Sequence, residues 1–144
     1  MRIAICASMD AIEKIMDIAD LLSRSGHDVV IPKFVGEHKD ISKSEVDRIR
    51  KDPDFIENHK HGYIRKHFDE IKNSDAILVV NVDKKGIRNY IGGATFAEMM
   101  LAFYLNKKIF LMNPIPNDPK LEPYLDELNA IKPTVIHGKL GMVK

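Results

Sequence analysis

A glutamate that follows two glycines at the start of an apolar helix is the residue of this chain best placed for chemistry. Gly92 and Gly93 precede Ala94–Leu105, where apolar residues recur every three or four positions, and Glu98 is the one carboxylate in its first two turns. A helix N-terminus keeps a carboxylate ionised, so Glu98 can act as a nucleophile or balance positive charge in a transition state. Thr95 and Glu98 also have the spacing of a capping box, in which Glu98 would only accept a hydrogen bond from the Thr95 amide. Both interpretations stay open.

The elements that must position Glu98 are short apolar segments alternating with helical patterns. Such runs, rich in β-branched residues and without polar alternation, are typical of parallel strands covered on both faces. They occur at Arg2–Ala7, His27–Pro32, Ala76–Val80, Lys108–Met112 and Thr134–Ile136. Right-handed crossovers then place helices on both sides of the sheet. We predict one α/β domain over residues 1–144, with a doubly wound, flavodoxin- or Rossmann-like five-stranded parallel sheet.

The helices of this scheme have recognisable boundaries. Asp10–Glu13 reads as a capping box that opens the first helix, and Gly26 supplies its left-handed end. Charged residues dominate Lys33–Asp54 and leave little apolar area to bury, so we expect a mobile segment that closes over the site. A longer helix is predicted over Phe55–Asn73, with a weak point at Gly62 and an apolar stripe formed by Ile56, Tyr63, Ile64, Phe68 and Ile71. A last helix is predicted over Leu121–Ile131.

The stretch from Gly92 to Pro116 resembles the nucleoside 2-deoxyribosyltransferase superfamily, which includes deoxynucleoside 5′-monophosphate N-glycosidases. In that family a glycine-containing loop leads into a helix whose early glutamate attacks the anomeric carbon, and Glu98 falls on that glutamate. Gly92–Glu98 is also similar to the Gly-Gly-x-Gly-Thr-x-x-Glu motif of lysine-decarboxylase-like phosphoribohydrolases, although it is one residue shorter. Both resemblances imply chemistry at the N-glycosidic bond of a nucleoside or nucleotide.

The resemblance also implies positions for two further carboxylates, and the chain departs from it at both. Gly92 stands where the family has an acid that holds the nucleobase, and His67 stands where it has an aspartate. A histidine near its pKa could donate a proton there, or it could simply pack against the core. Asp83, in the loop after the third strand, could supply the missing acid. We therefore predict Glu98, His67 and Asp83 as catalytic candidates.

Residues at the carboxyl ends of the strands complete the predicted site, because open α/β sheets bind ligands at that edge. Ser8 could contact a sugar or phosphate, or only satisfy local backbone. Tyr90 could stack on a base or form a hydrogen bond with it, or it could only cover the core. The predicted substrate-binding residues are Ala7, Ser8, Met9, Asn81, Tyr90, Gly92, Gly93, Ala94 and Asn113.

Composition excludes several other classes of protein. With 22 Lys+Arg against 21 Asp+Glu the net charge is +1, so no polymeric nucleic acid is expected as a partner. One cysteine, Cys6, fits a cytoplasmic protein and is expected to be a small core residue. No membrane-spanning run is present in the sequence. Gly-x-Gly-x-x-Gly and Gly-Lys-Ser/Thr motifs are missing.

The sequence predicts no cofactor and no metal site. His59 and His61 are the only closely spaced histidines, and on a helix they would point about 200° apart. The partner we expect is a small nucleoside or nucleotide. The alternatives to an N-glycosidase or transferase are a non-catalytic nucleotide-binding module and a structural dimerisation domain. A homodimer or larger homo-oligomer is predicted, because the helix after Gly93 is apolar around much of its circumference.

Overall fold

The computed structural model describes residues 1–9 and 11–144, whose strands form one parallel sheet. The strands are β1 (Arg2–Cys6), β2 (Asp28–Val30), β3 (Ala76–Val79), β4 (Lys108–Leu111) and β5 (Thr134–Val135). Their spatial order is β2-β1-β3-β4-β5, and each neighbouring pair is parallel. This order, which reverses direction between β1 and β3, is that of a doubly wound flavodoxin-like sheet. The predicted fold class is confirmed.

Both faces of the sheet are covered because successive strand residues point to opposite sides. On one side Leu78 and Val80 pack with α1 (Ile12–Arg24) in a first apolar cluster. On the other side Ile77 and Val79 pack in a second cluster. The helices that contribute to the second cluster are α5 (Lys60–Lys72), α6 (Gly93–Tyr104) and α7 (Glu122–Ala130). The strands are thus buried on both faces, which explains their uninterrupted apolar sequences.

The first helix agrees with its sequence pattern. Ile15, Ile18 and Leu22 form its buried face. Gly26 follows with a φ of +92°, the left-handed conformation that glycine adopts without strain. The capping box proposed for the start of this helix includes Asp10, which lies outside the described residues.

The charged segment after β2 is more structured than its composition suggests. It forms α2 (Lys33–His38), α3 (Lys43–Lys51) and α4 (Pro53–Asn58). Ser42 caps α3 by accepting a hydrogen bond from the Glu45 amide at 3.2 Å. Phe34, Val35 and Val46 are buried. The expectation that this segment buries little apolar area is therefore wrong for α2, whereas α4 contains no buried residue.

The single helix predicted for Phe55–Asn73 is two helices, α4 and α5. The chain leaves the helical region at His59, with φ −125° and ψ −36°, so the break falls there instead of at Gly62. Two residues of the predicted apolar stripe, Ile56 and Ile64, are 49% and 44% exposed. Within α5 the stripe holds in part: Ile71 is buried as predicted, and His67, four residues before it on the same helical face, is buried with it. The burial of His67 has a direct consequence for the site.

The remaining connections hold the edge of the sheet beside α6. A short 3-10 turn at Pro119–Leu121 precedes α7, and Tyr124 of α7 donates a hydrogen bond to the Ile91 carbonyl at 2.6 Å.

Within the ranges that the structure describes, no helix combines the length and apolar character needed to cross a membrane.

Candidate active site

A cavity of about 470 Å³ opens at the carboxyl ends of β1 and β3, beside the first turns of α6. The sheet side of this cavity is formed by Ala7, Ser8, Met9, Lys84, Lys85, Tyr90, Gly92, Gly93, Ala94, Thr95 and Glu98. The opposite wall is formed by Pro32, Lys33, Phe34, Asp47, Arg50, Lys51, Phe55, Lys60, Tyr63, Ile64 and His67. Most of the predicted substrate-binding residues therefore meet around one space, together with Glu98 and His67.

Glu98 lies inside α6 and is buried, with 6% of its surface exposed. The helix begins at Gly93 with Gly92 as its N-cap, so Thr95 is already helical and the capping-box interpretation is wrong. Burial raises the pKa of Glu98 to about 7, while a hydrogen bond from the Cys6 thiol opposes the rise. The expectation that the helix N-terminus keeps Glu98 ionised is also corrected. The dipole acts mainly within the first turn, which Glu98 lies beyond.

His67 on α5 faces Glu98 across the floor of the cavity. Its Nε2 lies 3.8 Å from Glu98 Oε2 and 3.6 Å from Cys6 Sγ. Burial lowers the pKa of His67 to about 4, although the Ile5 backbone and Glu70 act in the opposite direction. The imidazole is therefore neutral at pH 7, and the expectation of a proton donor near its pKa is corrected. The His67–Glu98 contact is one of polar neighbours and not of two full charges.

Cys6 completes this group from the last position of β1. It is fully buried, as expected of a core residue, and it belongs to the second apolar cluster. Burial, with a smaller contribution from Glu98, raises the pKa of its thiol well above the ordinary value. Three chemically active side chains from β1, α5 and α6 thus meet beneath the cavity. Their spacing in the sequence does not predict that all three meet, because the meeting depends on how β1, α5 and α6 pack against one another.

The loop after β3 places lysines and an aromatic ring at the opening of the cavity. Lys85 and Gly86 both have positive φ, which makes a tight turn between the paired residues Lys84 and Ile87. Lys84 Nζ donates a hydrogen bond to the Ser8 hydroxyl. The Tyr90 ring lies 5.9 Å from Lys84 Nζ and 5.7 Å from Lys85 Nζ.

Tyr90 also lies close against Gly92. A Cβ at this position would lie 3.2 Å from Tyr90 Cε1 and 3.3 Å from its hydroxyl. A side chain at position 92 would therefore require the ring to move by a few tenths of an ångström, and both Tyr90 and Gly92 line the cavity.

Asn81 and Asn113, both predicted to bind substrate, are not part of the cavity lining. They join the ends of β3 and β4 to each other. The Asn113 amide donates to Asn81 Oδ1 at 2.9 Å, and Asn113 Nδ2 donates to the Asn81 carbonyl at 3.0 Å. Asn81 Nδ2 donates to the Asn113 and Pro114 carbonyls. Their hydrogen-bonding groups are used in holding the loops, and we do not assign them to substrate.

Asp83, predicted as a replacement acid, likewise does not line the cavity. Its Oδ1 accepts a hydrogen bond from the Asn89 amide at 2.9 Å, which closes the 83–89 loop. Its role in the structure is to hold the turn that carries Lys84 and Lys85.

Two groups of lining residues were missed by sequence reasoning. The first is cationic and comprises Lys33, Arg50, Lys51, Lys60, Lys84 and Lys85. The second is aromatic: the rings of Phe34, Phe55 and Tyr63 contact one another with centroids 5.5–5.7 Å apart. For the lining residues between 33 and 63 the available signal was the combination of charge with isolated aromatics, which by itself indicates no more than a solvated helical face. Lys84 and Lys85 lie in the loop after β3, where ligands of such sheets bind.

The fold and site together define a flavodoxin-like α/β protein with a buried carboxylate at the floor of a cationic cavity. No family model matches the chain, and no curated protein matches it in sequence. Among solved structures it is similar to the 2-deoxyribosyltransferase of Bacillus psychrosaccharolyticus, which is described as a biocatalyst for the synthesis of antiviral and antitumoral nucleosides. The TM-score is 0.56 at 12% identity, over 93% of this chain and 98% of that one. The similarity establishes a shared fold.

Proposed function

We propose that this protein cleaves or transfers the N-glycosidic bond of a (deoxy)nucleoside 5′-monophosphate, with Glu98 as the catalytic carboxylate. The observation that carries the proposal is the position of Glu98, buried at the floor of a cavity at the carboxyl edge of the sheet. A carboxylate whose pKa lies at about 7 in such a cavity is typical of a catalytic site. The shared fold with a 2-deoxyribosyltransferase points to the same bond.

In the proposed reaction the ionised Glu98 approaches the anomeric carbon from the face opposite the base. The bond between this carbon and the base nitrogen breaks, and its electron pair leaves with the base, which takes a proton from solvent. Glu98 stabilises the oxocarbenium-like state or forms a covalent glycosyl intermediate. Water or a second base then attacks the anomeric carbon and releases Glu98. Substrate is expected to displace water from the cavity, which strengthens the electrostatic stabilisation.

The cationic lining supports a phosphorylated substrate. A phosphate monoester carries roughly −1.5 to −2 charges at neutral pH and accepts strong hydrogen bonds. Lys84 and the Ser8 hydroxyl lie together at the end of β1 and are the pair that we assign to the phosphate. Arg50, Lys51 and Lys60 on the opposite wall add positive charge that would attract it.

The aromatic residues support a planar base. Tyr90 lines the cavity beside Gly92 and presents a ring and a hydroxyl. Phe34, Phe55 and Tyr63 line the opposite wall. A base held between these rings would be stabilised by stacking. It would not need the carboxylate that the 2-deoxyribosyltransferase superfamily has at the position of Gly92.

The first test replaces Glu98 by glutamine, which keeps the shape and removes the charge. After a thermal-shift screen of nucleosides and nucleotides has identified a substrate, Glu98→Gln should fold normally and release base at least about a hundredfold more slowly. Glu122→Gln changes an exposed glutamate at the start of α7 and should retain the parent rate. A well-folded Glu98→Gln protein that turns over at the parent rate would remove Glu98 from the mechanism.

The second test concerns the phosphate. Lys84→Met should raise the KM for a nucleoside monophosphate by roughly ten- to a hundredfold, because a hydrogen bond to a charged group is worth about 1.5–3 kcal/mol. The KM for the matching unphosphorylated nucleoside should hardly change. Lys14→Met, at an exposed position on α1, is the control. Equal losses for both substrates would contradict the assignment of Lys84 to the phosphate.

A non-catalytic nucleotide-binding module is the second candidate function. It is favoured by Gly92, which stands where the related family has an acid, and by the neutral state of His67 at pH 7. Such a module would bind a nucleotide in the cavity with no release of base from any nucleoside or nucleotide in the screen.

A further inference from the structure

Three donor atoms of different chemistry converge beneath the cavity. Cys6 Sγ, His67 Nε2 and an oxygen of Glu98 all lie within 4.8 Å of one another, and all three residues are buried. Each residue comes from a separate element: β1, α5 and α6 respectively. The convergence is therefore a product of the packed fold and not of a local sequence motif.

Glu98 Oε2 is a buried polar atom with no hydrogen-bond partner within the described structure. It faces His67 Nε2 at 3.8 Å, and no lysine or arginine among the described residues forms an ion pair with Glu98. A buried carboxylate oxygen without a partner is costly, which indicates that another group satisfies it in the working protein. A substrate above the cavity floor is one such group, and a cation between the three donors is another.

The separations of the donors fit a tetrahedral metal ion. Zinc–ligand bonds of about 2.0 Å to nitrogen or oxygen and about 2.3 Å to sulfur place tetrahedral ligand atoms roughly 3.3–3.6 Å apart. The sulfur and the imidazole nitrogen are 3.6 Å apart, and the nitrogen and the carboxylate oxygen are 3.8 Å apart. Small side-chain movements would therefore complete the geometry.

The donor set also selects the type of ion. A thiolate and an imidazole favour zinc and its neighbours over magnesium or calcium, which prefer oxygen ligands. Three protein ligands leave a fourth position, as in catalytic zinc sites. His67 and Glu98 line the cavity, so that fourth position and the path for the ion both lie on the cavity side.

From this geometry we infer that Cys6, His67 and Glu98 form a binding site for a single thiophilic divalent cation of the zinc type. On binding, Cys6 and any protonated Glu98 lose their protons to solvent, and the ion bonds to the Cys6 sulfur, His67 Nε2 and a Glu98 oxygen. The cavity lining is cationic, so ligation and not long-range attraction holds the ion. This inference replaces the sequence-based expectation of no metal, which considered only His59 and His61.

The ion has a consequence that rests on the proposed function. It binds the Glu98 carboxylate and neutralises the charge that would attack the sugar or stabilise the oxocarbenium-like state, so metal binding and glycosyl transfer should exclude each other. Zinc should accordingly inhibit the release of base, and a chelator should restore it. The cluster then acts as a site of inhibition by zinc at the catalytic carboxylate.

The test titrates the reduced, chelator-treated protein with Co²⁺ at physiological ionic strength. We expect one equivalent to bind, with visible bands of a tetrahedral ion and a thiolate-to-cobalt charge-transfer band, and one equivalent of Zn²⁺ should displace it. Cys6→Val keeps an apolar residue in β1, and Cys6→Ser keeps the size of the side chain. Both should lose the charge-transfer band and bind at least about tenfold more weakly. Circular dichroism would verify their folding.

The control removes the surface histidines that bind metals adventitiously. His59 is exposed and lies 3.3 Å from Asp54, so a His59→Gln/His61→Gln variant tests this source. It should keep the full cobalt signal and stoichiometry. Loss of binding in this variant with retention in Cys6→Ser would overturn the inference, as would the lack of a single-equivalent site in the parent protein.

Base release measured with and without zinc separates this inference from the proposed function. Zinc binding at the cluster without inhibition of base release would overturn the mutual exclusion. A protein that binds one cobalt ion through Cys6 but releases base from no nucleotide would support the metal site and count against the proposed enzyme.

Discussion

At the scale of single residues, burial decides the protonation of the site more than helix position or partner charge does. Glu98 and His67 are neighbours whose pKa values shift in opposite directions, to about 7 and about 4. For both groups desolvation is the main cause, because it disfavours the charged form of an acid and of a base alike. At neutral pH a proton held by this pair therefore resides on Glu98 and not on His67.

The pH dependence of stability should reveal these shifts in a His67→Gln variant. Between pH 4.5 and about 7 the folded protein keeps a proton on Glu98 that the unfolded chain releases, so this residue makes the free energy of unfolding fall as pH rises. From about pH 4 to 6.5 His67 has the reverse effect, because only the unfolded chain holds its proton. The two slopes largely cancel in the parent protein.

Removing His67 removes the compensating slope. Relative to the parent, His67→Gln should lose about 3 kcal/mol of unfolding free energy as pH rises from 4 to 6.5, the amount that its pKa shift corresponds to. Urea unfolding at several pH values measures this difference. Parallel stability curves for the two proteins would show that the pKa of His67 is not shifted.

In a turnover assay, activity should rise with pH through about 7 as Glu98 ionises.

At the scale of elements, the helices between β2 and β3 form a wall over a site that the sheet and α6 provide. Burial within this wall is uneven. Phe34 and Val35 secure α2, α3 has only Val46 buried, and α4 has no buried residue. Asp47, Arg50 and Phe55 of α3 and α4 nevertheless line the cavity. Elements with little buried area and direct access to the ligand are those expected to open locally.

Hydrogen exchange should therefore slow in α3 and α4 when ligand binds. In protein saturated with a nucleoside monophosphate, amides of residues 43–58 should become more protected, because α3 and α4 would close over the ligand and contact it. α1, which packs on the other face of the sheet, is the internal reference and should not change. Unchanged exchange across 43–58 in saturated protein would show that these helices do not close over the site.

At the scale of the whole molecule, the C-terminal end of α6 carries an apolar surface outside the site. Phe103 is 51% exposed and Tyr104 is 80% exposed. Met100 and Leu101 are half-buried on the same helix. Adjacent exposed aromatics on an apolar helix are typical of a surface that pairs with another protein. This arrangement agrees with the sequence-based prediction of a homodimer, which stays a prediction.

Sedimentation velocity at micromolar concentration measures the oligomeric state. We expect a dimer or larger assembly for the parent protein and monomer for a Phe103→Glu/Tyr104→Glu variant, because the carboxylates would be desolvated in the interface. Leu21→Glu is the matched control, since Leu21 is also 51% exposed but lies on α1. A monomeric parent protein, or equal dissociation by Leu21→Glu, would contradict an interface at the end of α6.

The sequence alone determined the strands, the class of fold and the edge of the sheet where Glu98 lies. These features depend on local patterns: uninterrupted apolar runs mark strands buried on both faces, and a glycine pair before an apolar helix places the first turns of α6 at the carboxyl edge. The same reasoning located Ser8 and Tyr90, since each lies in a loop that follows a strand. It could not separate lining residues such as Tyr90 from Asn81 and Asn113, which hold loops together.

Only the tertiary structure decided which side chains meet Glu98. The resemblance indicated His67 as a candidate, and its position four residues before the buried Ile71 puts it on the inner face of α5, but only the packing of α5 against α6 brings this face to Glu98. The meeting of Cys6 with Glu98 depends likewise on how β1 and α6 pack across many intervening residues. The protonation of Glu98 follows from the same packing, because desolvation is the sum of all the surrounding atoms and is not a property of the residue or its neighbours in sequence.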